Sequence, residues 1–339
     1  MAKPILISGI QPTGKIHLGN YLGALKNFVD LQNSNKYQCL FFIADYHSLT
    51  ESYTPEEKQK QILDLTATYL ASGLNPKKST IFLQSDVPAT TELAWILSTL
   101  TPFGELRRMT QFKDKSSNEE DGVNVGLFTY PILMAADILL YDAKFVPVGD
   151  DQLQHLELTR TLARKFNSRF PARRSLGVGG DKTFFEPQPI LTKTPRLMSL
   201  DNPTKKMSKS SPEGCIFIDD HPALIDAKIK KAVTDSGSAI RFNEKDKPGI
   251  SNLLTLMSDL SGKSINELES VFAGQNYGEF KHAVADTVID YFHKFREHKL
   301  ERIKKPKKLL EILKSGQKKA AALATAKMKI IKKRIGVAI

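Results

Sequence analysis

The sequence is poor in the features that mark secreted, membrane-spanning or metal-binding proteins. Among its 339 residues it has two cysteines, Cys39 and Cys215, and neither stands at metal-ligand spacing from other ligand residues. Scarce cysteine is typical of a reducing compartment, so we expect a cytoplasmic protein. No apolar run approaches the length that spans a bilayer, and no membrane association is expected. The first predicted strand begins by residue 4, so no presequence is expected.

The charge of the chain is unevenly distributed. The whole sequence carries 49 Lys and Arg against 37 Asp and Glu, a formal net charge of +12. Residues 294–339 contain 16 of these basic residues and three of the acidic ones, so they hold all of the basic excess. A solvated helical surface is the plain interpretation, but an imbalance confined to one end favours a polyanionic partner.

The order of predicted elements indicates an α/β protein of about two domains. Four strand-like runs alternate with helical stretches: residues 4–8, 38–45, 80–84 and 144–148. This alternation is typical of a Rossmann-like parallel sheet with helices on both faces. Only helical patterns follow residue 220. We therefore predict a Rossmann-like catalytic domain over residues 1–220 and a C-terminal α-helical domain over residues 221–339.

Two stretches are predicted to add little to the core. Residues 167–195 are rich in Arg, Gly and Pro and are predicted to form an irregular surface loop. Residues 318–334 are rich in Ala and Lys, which indicates high helix propensity with little to bury.

The strongest chemical signal is a run of five residues near the middle of the chain: Lys206, Met207, Ser208, Lys209 and Ser210. We call residues 206–210 the lysine-serine loop. Its ammonium and hydroxyl groups can be aimed at phosphate oxygens and at charge that develops during a reaction. A solvated basic loop is the simpler interpretation. A second phosphate-type motif favours a polyphosphate site instead.

That second motif lies near the start of the chain. The segment SGIQPTGKIHLGN (residues 8–20) follows an apolar run and precedes an amphipathic stretch, which indicates strand, turn and helix. Such a turn brings backbone and a helix N-terminus close to phosphate. Residues 9–15 match the first seven positions of a P-loop, but Ile16 lacks the hydroxyl needed next, so that interpretation is disfavoured. His17, Gly19 and Asn20 form the better nucleotide motif.

Together the two motifs resemble those of class I aminoacyl-tRNA synthetases. Residues 17–20 correspond to the HIGH-like motif, with Asn20 in place of its second histidine, and residues 206–210 match the KMSKS motif in full. Three further segments look like bacterial tryptophanyl-tRNA synthetases: GIQPTG (residues 9–14), YPILMAADILLY (residues 130–141) and PVGDDQLQH (residues 147–155). The similarity runs from about residue 4 into the C-terminal helices.

One predicted helix carries a candidate specificity residue. If the helix starts at Tyr130 with Pro131 in its first turn, then Tyr130, Met134, Asp137 and Tyr141 share one face. A buried carboxylate needs donors, because leaving it unpaired is costly. A satisfied Asp at a helix contact is the plain explanation. A pocket in which Asp137 accepts the N–H of an indole ring is the functional one.

The resemblance implies a role for each candidate site residue. The predicted tryptophan-binding residues are Ile7, Gly9, Tyr130, Met134, Asp137, Val146, Val148 and Gln152. The predicted ATP-binding residues are Gln11, Pro12, Thr13, His17, Gly19, Asn20, Gly149, Asp150, Asp151, Gln152, Lys206, Met207, Ser208, Lys209 and Ser210. The predicted catalytic residues are Gln11, Lys115, Lys206 and Lys209. Ile7 stands where many bacterial relatives have Phe, so a slightly different pocket floor is expected. His155 is interpreted as structural or substrate-orienting, and the sequence does not place His47.

The resemblance also implies a reaction and its partners. Tryptophan would be activated with ATP and transferred to tRNA(Trp), with Mg²⁺ held by ATP phosphate oxygens and water because the sequence offers no carboxylate cluster for it. No protein metal site is expected. The helical domain of residues 221–339 would bind tRNA, and a homodimer is expected by resemblance.

Three alternatives stay open at this point. A tyrosyl-tRNA synthetase shares the motifs, although residues 11–14 and 135–137 argue against it. A small-molecule nucleotidyltransferase is disfavoured by the basic helical C-terminus and the full lysine-serine loop. A catalytically inactive RNA-binding paralogue is disfavoured because His17 and both lysines of the loop are present.

Overall fold

The computed structural model describes residues 2–110, 124–171, 182–191 and 197–337 and divides into two compact units. The first unit comprises residues 1–13, 27–192 and 305–339, and the second comprises residues 14–26 and 193–304. These bounds differ from those of the predicted domains. The nucleotide turn and the lysine-serine loop belong to the unit that holds most of the later helices, whereas the C-terminal residues belong to the unit of the sheet.

Within its described residues, the first unit is built on one parallel sheet. Its strands are β1 (Ile5–Ile10), β2 (Gln38–Ile43), β3 (Thr80–Leu83), β4 (Phe145–Val148) and β5 (Gln188–Leu191). They run in the order β3-β2-β1-β4-β5, and each neighbouring pair is parallel. The predicted α/β, Rossmann-like fold is confirmed, as are the four predicted strands.

Strand β5 lies inside residues 167–195, which were predicted to be irregular throughout, so that prediction is wrong at this point. Its sequence, Gln-Pro-Ile-Leu, includes Pro189, which cannot donate a hydrogen bond to a sheet. Proline is tolerated here because β5 is an edge strand of the described sheet, paired on one side with β4. The side chains of β5 are half-buried or exposed, so this strand lacks the apolar pattern of the central strands.

The helices of the first unit connect and cover these strands. They are α2 (Lys26–Asn33), which begins at the last residue of the second unit, α3 (Pro55–Ala71), α4 (Ala89–Ser98), α5 (Phe103–Arg107), α6 (Val125–Leu139), α7 (Leu153–Arg169) and α13 (Pro306–Ile335). Helix α6 begins at Val125 and not at Tyr130, because the side chain of Asn124 caps it by accepting from Leu127 N–H at 2.9 Å. Pro131 therefore lies inside the helix.

The C-terminal helix α13 corrects the expectation that residues 318–334 have little to bury. One face of the helix is packed against the first unit: Leu309, Leu313, Gly316, Ala320, Ala324, Lys327, Met328, Ile331 and Arg334. At Gly316 the helix touches the backbone of β3, where an added Cβ would lie 1.8 Å from the Ile81 carbonyl oxygen. Small residues on a helix allow such close approach, and alanine repeats can signal a packed stripe as well as an exposed helix.

Lys327 is the clearest case of a basic residue used for packing. Its side chain is buried, its ammonium group donates to the Asp142 carboxylate and to the Thr183 carbonyl, and it lies 5.1 Å from the Phe184 ring centroid. Burial lowers the pKa of Lys327, while Asp142 acts against that shift. Lys327 is therefore part of the fold of the first unit.

The second unit is helical apart from isolated bridges among its described residues. Its helices are α1 (Leu18–Asn20), α8 (Pro222–Lys231), α9 (Pro248–Ser261), α10 (Ile265–Val271), α11 (Tyr277–Tyr291) and α12 (His293–Ile303). Helices α11 and α12 are separated only by Phe292. No helix in the described ranges is long and apolar enough to cross a membrane.

Candidate active site

The first unit contains a buried cluster around Asp137 on helix α6. The Asp137 side chain is 3% exposed. Gln84 Nε2 donates to both of its carboxylate oxygens, at 2.9 Å to Oδ1 and 2.8 Å to Oδ2. His47 Nε2 lies 2.8 Å from Oδ2 and donates to it in the tautomer that carries its proton on Nε2. The predicted helix face thus meets two donors that sequence reasoning did not place.

Both donors follow strands of the parallel sheet. His47 begins a short turn after β2, and Gln84 comes directly after β3. Polar side chains at the carboxyl ends of adjacent parallel strands face the same edge of the sheet. That rule was the available signal for His47 and Gln84, and it brings them to the carboxylate of α6.

Burial dominates the electrostatics of this cluster. Desolvation raises the pKa of Asp137, and the hydrogen bonds from His47 and Gln84 act in the opposite direction. The three described contacts use three of roughly four acceptor positions on the carboxylate. The plain explanation, a satisfied buried Asp, holds for these contacts, and acceptor capacity remains on Oδ1.

Tyr130 lies on the same helix as Asp137 and is held by a histidine. Its hydroxyl is 3.0 Å from Nε2 of His155, which is buried on α7. The Tyr130 ring also meets the His47 ring edge-on at a centroid distance of 6.2 Å. Burial and, to a lesser degree, the charge of Asp151 raise the pKa of Tyr130 to about 12, so the phenol is neutral at ordinary pH. His155 thus orients Tyr130.

The apolar residues predicted for the tryptophan pocket lie in the hydrophobic cluster of the first unit. Ile7, Val146 and Val148 belong to it, and the half-buried Met134 packs against it. Ile7 has no exposed surface. Gly9 supports the same packing, because an added Cβ would lie 2.6 Å from the Phe42 ring. The structure places these residues on β1, β4 and α6, and their assignment to tryptophan stays a prediction.

The segment after β4 was predicted to bind both ligands. Gly149 precedes a short 3₁₀ turn of Asp150, Asp151 and Gln152. Gln152 Nε2 donates to Asp151 Oδ2 at 3.0 Å. An added Cβ at Gly149 would lie 2.8 Å from Asp151 Oδ1, so glycine leaves room for this carboxylate. Asp150 and Asp151 are exposed, which suits ligand contact better than core packing.

The loop after β1 holds Gln11, Pro12 and Thr13 and is tied to a lysine that the sequence did not reveal. Thr13 N–H donates to the Gln11 carbonyl at 3.0 Å. Lys58 Nζ, on α3, lies 3.4 Å from the Pro12 carbonyl and 2.8 Å from Ser48 Oγ. Lys58 is 8% exposed, and burial lowers its pKa. It links the loops that follow β1 and β2.

In the second unit the two phosphate motifs are joined by backbone pairing. Leu18 N–H donates to the Ile216 carbonyl at 2.9 Å, and Ile218 N–H donates to the Ile16 carbonyl at 3.1 Å. His17 and Phe217 form the antiparallel bridge between them. Since residue 216 comes shortly after the lysine-serine loop, the structure brings this loop and the His17 turn together within one compact unit.

His17 is neutral in this setting. Burial, then the nearby charges of Lys209 and Lys206, lower its pKa to about 4. Asn20 N–H donates to His17 Nδ1 at 3.3 Å, so the proton of the neutral ring is on Nε2. Gly19 leaves room for the imidazole, because an added Cβ would lie 3.0 Å from its Cε1. The motif therefore supplies one oriented Nε2–H donor.

The lysine-serine loop is anchored by its methionine. Met207 is 3% exposed, and its N–H donates to the Leu197 carbonyl at 3.0 Å. Lys206, by contrast, is exposed. The hydroxyls of Ser208 and Ser210 lie 2.9 Å apart. A buried anchor thus carries cationic and hydroxyl groups at the surface. Lys115 lies outside the described residues.

Comparison with known proteins identifies the family of this chain. The profile of the family described as tRNA synthetases class I (W and Y) matches residues 1–293. The chain is 48% identical over 335 residues to a tryptophan–tRNA ligase from Caldanaerobacter subterraneus, covering 98% of each chain.

Solved structures give the same result. A tryptophanyl-tRNA synthetase from Mycoplasma pneumoniae matches with a TM-score of 0.84 and 36% identity, covering 99% of this chain and 98% of the other. One from Campylobacter jejuni in complex with ADP and tryptophan matches with a TM-score of 0.82 and 36% identity, covering 98% and 99%. This chain therefore belongs to the class I tRNA synthetases of the tryptophan and tyrosine family.

Proposed function

We propose that this chain catalyses the tryptophan–tRNA ligase reaction: it activates L-tryptophan with ATP and transfers the tryptophanyl group to tRNA(Trp). The observation that carries the proposal is the combination of two phosphate motifs in one unit with a buried carboxylate cluster in the other. Relatives named tryptophan–tRNA ligase match over 98% of this chain and support the choice of amino acid.

The carboxylate of Asp137 is the proposed receptor of the indole N–H. The indole nitrogen is a donor only, and Asp137 Oδ1 has acceptor capacity beyond its bond from Gln84. His47 and Gln84 fix the carboxylate in direction, and their hydrogen bonds act against the rise in its pKa that burial causes. A phenylalanine ring has no N–H, so a buried acceptor would lose its partner and phenylalanine would be rejected.

The remaining tryptophan contacts are proposed from the elements that surround Asp137. Tyr130 and Gln152 bind the α-amino group. Met134, Val146 and Val148 pack against the ring, with Ile7 and Gly9 beneath them. Soft and branched side chains suit a flat aromatic ligand, because they fill its faces without a polar cost.

The second unit supplies the proposed charge contacts to ATP. Lys206 and Lys209 stabilise the pyrophosphate group as its charge grows, and Ser208 and Ser210 add hydroxyl donors. The neutral His17 donates from Nε2 to a phosphate oxygen, while Gly19 and Asn20 contact the nucleotide. Further ATP ligands are proposed in the first unit: Gln11, Pro12, Thr13, Gly149, Asp150, Asp151 and Gln152. Lys115 is proposed as one more phosphate contact.

The proposed chemistry needs no enzyme nucleophile. The carboxylate of tryptophan attacks the α-phosphorus of ATP, the bond from that phosphorus to the bridging oxygen breaks, and pyrophosphate leaves. A terminal ribose hydroxyl of tRNA then attacks the carbonyl of the adenylate and AMP leaves. Gln11 faces the reacting carboxylate and α-phosphate. Position and charge stabilisation supply most of the rate enhancement in such transfers.

Magnesium is proposed to reach the site with its nucleotide. Among the described residues no group of three or more His, Cys, Asp or Glu is placed to hold a metal ion. Mg²⁺ retains water and phosphate ligands readily, and ATP oxygens provide them. When bound, the ion would neutralise negative charge on the phosphates. Lys206 and Lys209 would stabilise the same negative charge.

The tRNA contacts are proposed for the helical domain of residues 221–339, whose basic excess supports a phosphate-rich partner. Not every lysine there is available. Lys327 is buried in the first unit, whereas Lys318, Lys319, Lys329 and Lys333 on the same helix are exposed. Exposed lysines are the ones that can release counterions from RNA.

A homodimer in the cytoplasm is proposed as the working form. The first unit exposes three large apolar side chains: Trp95 is 73% exposed, Phe103 is 66% exposed and Val125 is 76% exposed. The Phe103 ring also contacts the Phe128 ring in a tilted arrangement, at a centroid distance of 5.0 Å. Such a surface is typical of an interface and supports a second copy of the chain as its partner.

Amino-acid-dependent exchange of pyrophosphate into ATP tests the proposed function. We expect exchange with tryptophan and little with tyrosine or phenylalanine across a panel of amino acids. Strong exchange with tyrosine and none with tryptophan would contradict the specificity. Charging of tRNA(Trp) by the same preparation then tests the second step.

A further inference from the structure

In the second unit, backbone hydrogen bonds tie the start of the lysine-serine loop to residues 197–199; we call residues 197–201 the frame. Ser199 N–H donates to the Lys205 carbonyl at 2.8 Å, just before the loop. Met207 N–H donates to the Leu197 carbonyl at 3.0 Å, inside it. The entry of the loop is therefore held by two backbone hydrogen bonds and by the buried Met207 side chain.

The exit of the loop is held by one carboxylate. Asp201 Oδ2 accepts from Ser211 Oγ at 3.1 Å, and Ser211 is the first residue beyond the loop. Asp201 Oδ1 accepts from Ser199 Oγ at 2.5 Å. Since a hydroxyl has one proton and an ionised carboxylate can only accept, the two serines donate to opposite oxygens of Asp201. The carboxylate thus ties the exit of the loop to the frame at its entry.

The contact between Ser199 and Asp201 leaves no space for a side chain at position 214, which is occupied by glycine. An added Cβ at Gly214 would lie 1.9 Å from Ser199 Oγ and 2.1 Å from Asp201 Oδ1. The Gly214 carbonyl accepts from Leu200 N–H at 2.9 Å, which brings its backbone against the frame. Glycine at this position lets the backbone approach a side-chain pair that any larger residue would displace.

We propose that Asp201 is a positioning residue for the lysine-serine loop, because it fixes the exit of the loop and with it Lys209. The inference rests on the proposed role of that loop in binding ATP phosphates. A loop fixed at both ends presents its lysines in one arrangement. A loop that lacks this side-chain contact at its exit is less ordered before ATP binds, and the freedom lost on binding weakens the ATP step. Tryptophan binding, which uses the first unit, is not affected.

The Asp201→Ala variant tests this role in pyrophosphate exchange. Hydrogen bonds to a charged acceptor are among the stronger ones, so we expect kcat/KM for ATP to fall by about tenfold with KM for tryptophan unchanged. Ser211→Ala removes only the exit contact and should cost about threefold. Because both variants break the same contact, the double variant should be no worse than Asp201→Ala.

A second measurement reports on the loop itself. Trypsin cleaves after lysine when the backbone is free to enter the protease, so Asp201→Ala should speed cleavage after Lys209 in the absence of ATP. The thermal midpoint should stay within a few degrees of wild type. Glu213→Ala is the matched control, because Glu213 is an exposed acid two residues beyond Ser211. It should change neither the cleavage rate nor kcat/KM for ATP.

Three results would overturn the inference. The first is an unchanged kcat/KM for ATP in Asp201→Ala, and the second is an equal loss in Glu213→Ala. The third is a parallel loss of thermal stability and of both substrates' KM values, which would make Asp201 merely structural. Lys209→Ala separates this test from the proposed function: if that variant retains full exchange activity, the loop does not serve ATP at all.

Discussion

The Asp137 cluster of the first unit and the lysine-serine loop of the second unit differ in burial and charge. Around Asp137, a buried carboxylate has its donors already in place, and desolvation dominates its pKa. On the lysine-serine loop, Lys206 is exposed and only Met207 is buried. Selection of an amino acid needs one acceptor fixed in direction. Stabilisation of a departing pyrophosphate needs cations held where the negative charge develops, so anchoring and exposure are combined in the loop.

This comparison predicts that the loop acts on rate and the buried cluster on selection. Lys209→Ala should produce the largest effect, a loss on the order of 10²-fold or more in kcat for adenylate formation. The tryptophan Kd should remain close to wild type, because the ammonium group acts mainly as charge develops. Pre-steady-state kinetics would check this. Lys205→Ala, at an exposed lysine just before the loop, is the control, and an unchanged activation rate in Lys209→Ala would contradict the role.

Asp137→Ala should have the next largest effect and should act on selection. Removing the carboxylate leaves the indole N–H without its acceptor, at a cost of about 1–3 kcal/mol. We expect kcat/KM for tryptophan to fall while activity with phenylalanine does not, as measured by exchange kinetics. Gln84→Ala, which removes donors but keeps the carboxylate, should cost less. If Asp137→Ala kept the wild-type kcat/KM for tryptophan, Asp137 would have a structural role only, as a buried Asp with satisfied hydrogen bonds.

Lysines of helix α13 should divide into two classes. Charge reversal of the exposed Lys318, Lys319, Lys329 and Lys333 should raise KM for tRNA severalfold and flatten its salt dependence, with pyrophosphate exchange near wild type. Lys327→Glu places a like charge beside Asp142, so it should cost on the order of 3 kcal/mol in unfolding free energy. Urea unfolding and tRNA charging, measured on each variant, distinguish the two classes. Unchanged charging in the quadruple variant would leave the exposed lysines as a solubility feature.

The smallest expected effect is a pH dependence from His17. Its folded-state pKa of about 4 lies below the ordinary value of 6.5. Between these values the unfolded chain binds a proton that the folded chain does not. The free energy of unfolding should therefore fall as the pH is lowered from about 6.5 towards 4. His17→Asn lacks this titration, so urea unfolding at several pH values should show a shallower slope for the variant. Equal slopes would contradict the neutral state of His17.

The sequence predicted those parts of the molecule that have a short, local signature. Strands β1 to β4 are short, mostly apolar runs, and residues 206–210 are contiguous, so each was recognisable in the sequence. The capping box of Thr54 and Glu57 at the start of α3 is another such local signature. Strand β5 was missed because an edge strand with Pro189 lacks the apolar pattern of a central strand.

The parts that were missed depend on contacts between distant segments. His47 and Gln84 reach Asp137 across 90 and 53 residues of sequence. Lys58 meets Pro12 across 46 residues. A lysine that will be buried looks the same in sequence as one that will be exposed, which is why Lys327 was counted with the solvated charges. Only the packing of α13 distinguishes them.

The approach of Gly316 to β3 has a consequence for how the chain is made. Residues 305–339 belong to the same unit as residues 1–13, so the early strands acquire this cover only after residues 14–304 have been made. Until then the apolar side chains of the first unit that α13 packs against lack this partner. Synthesis that halts before residue 305 would therefore leave an incomplete first unit, however well the second unit has folded.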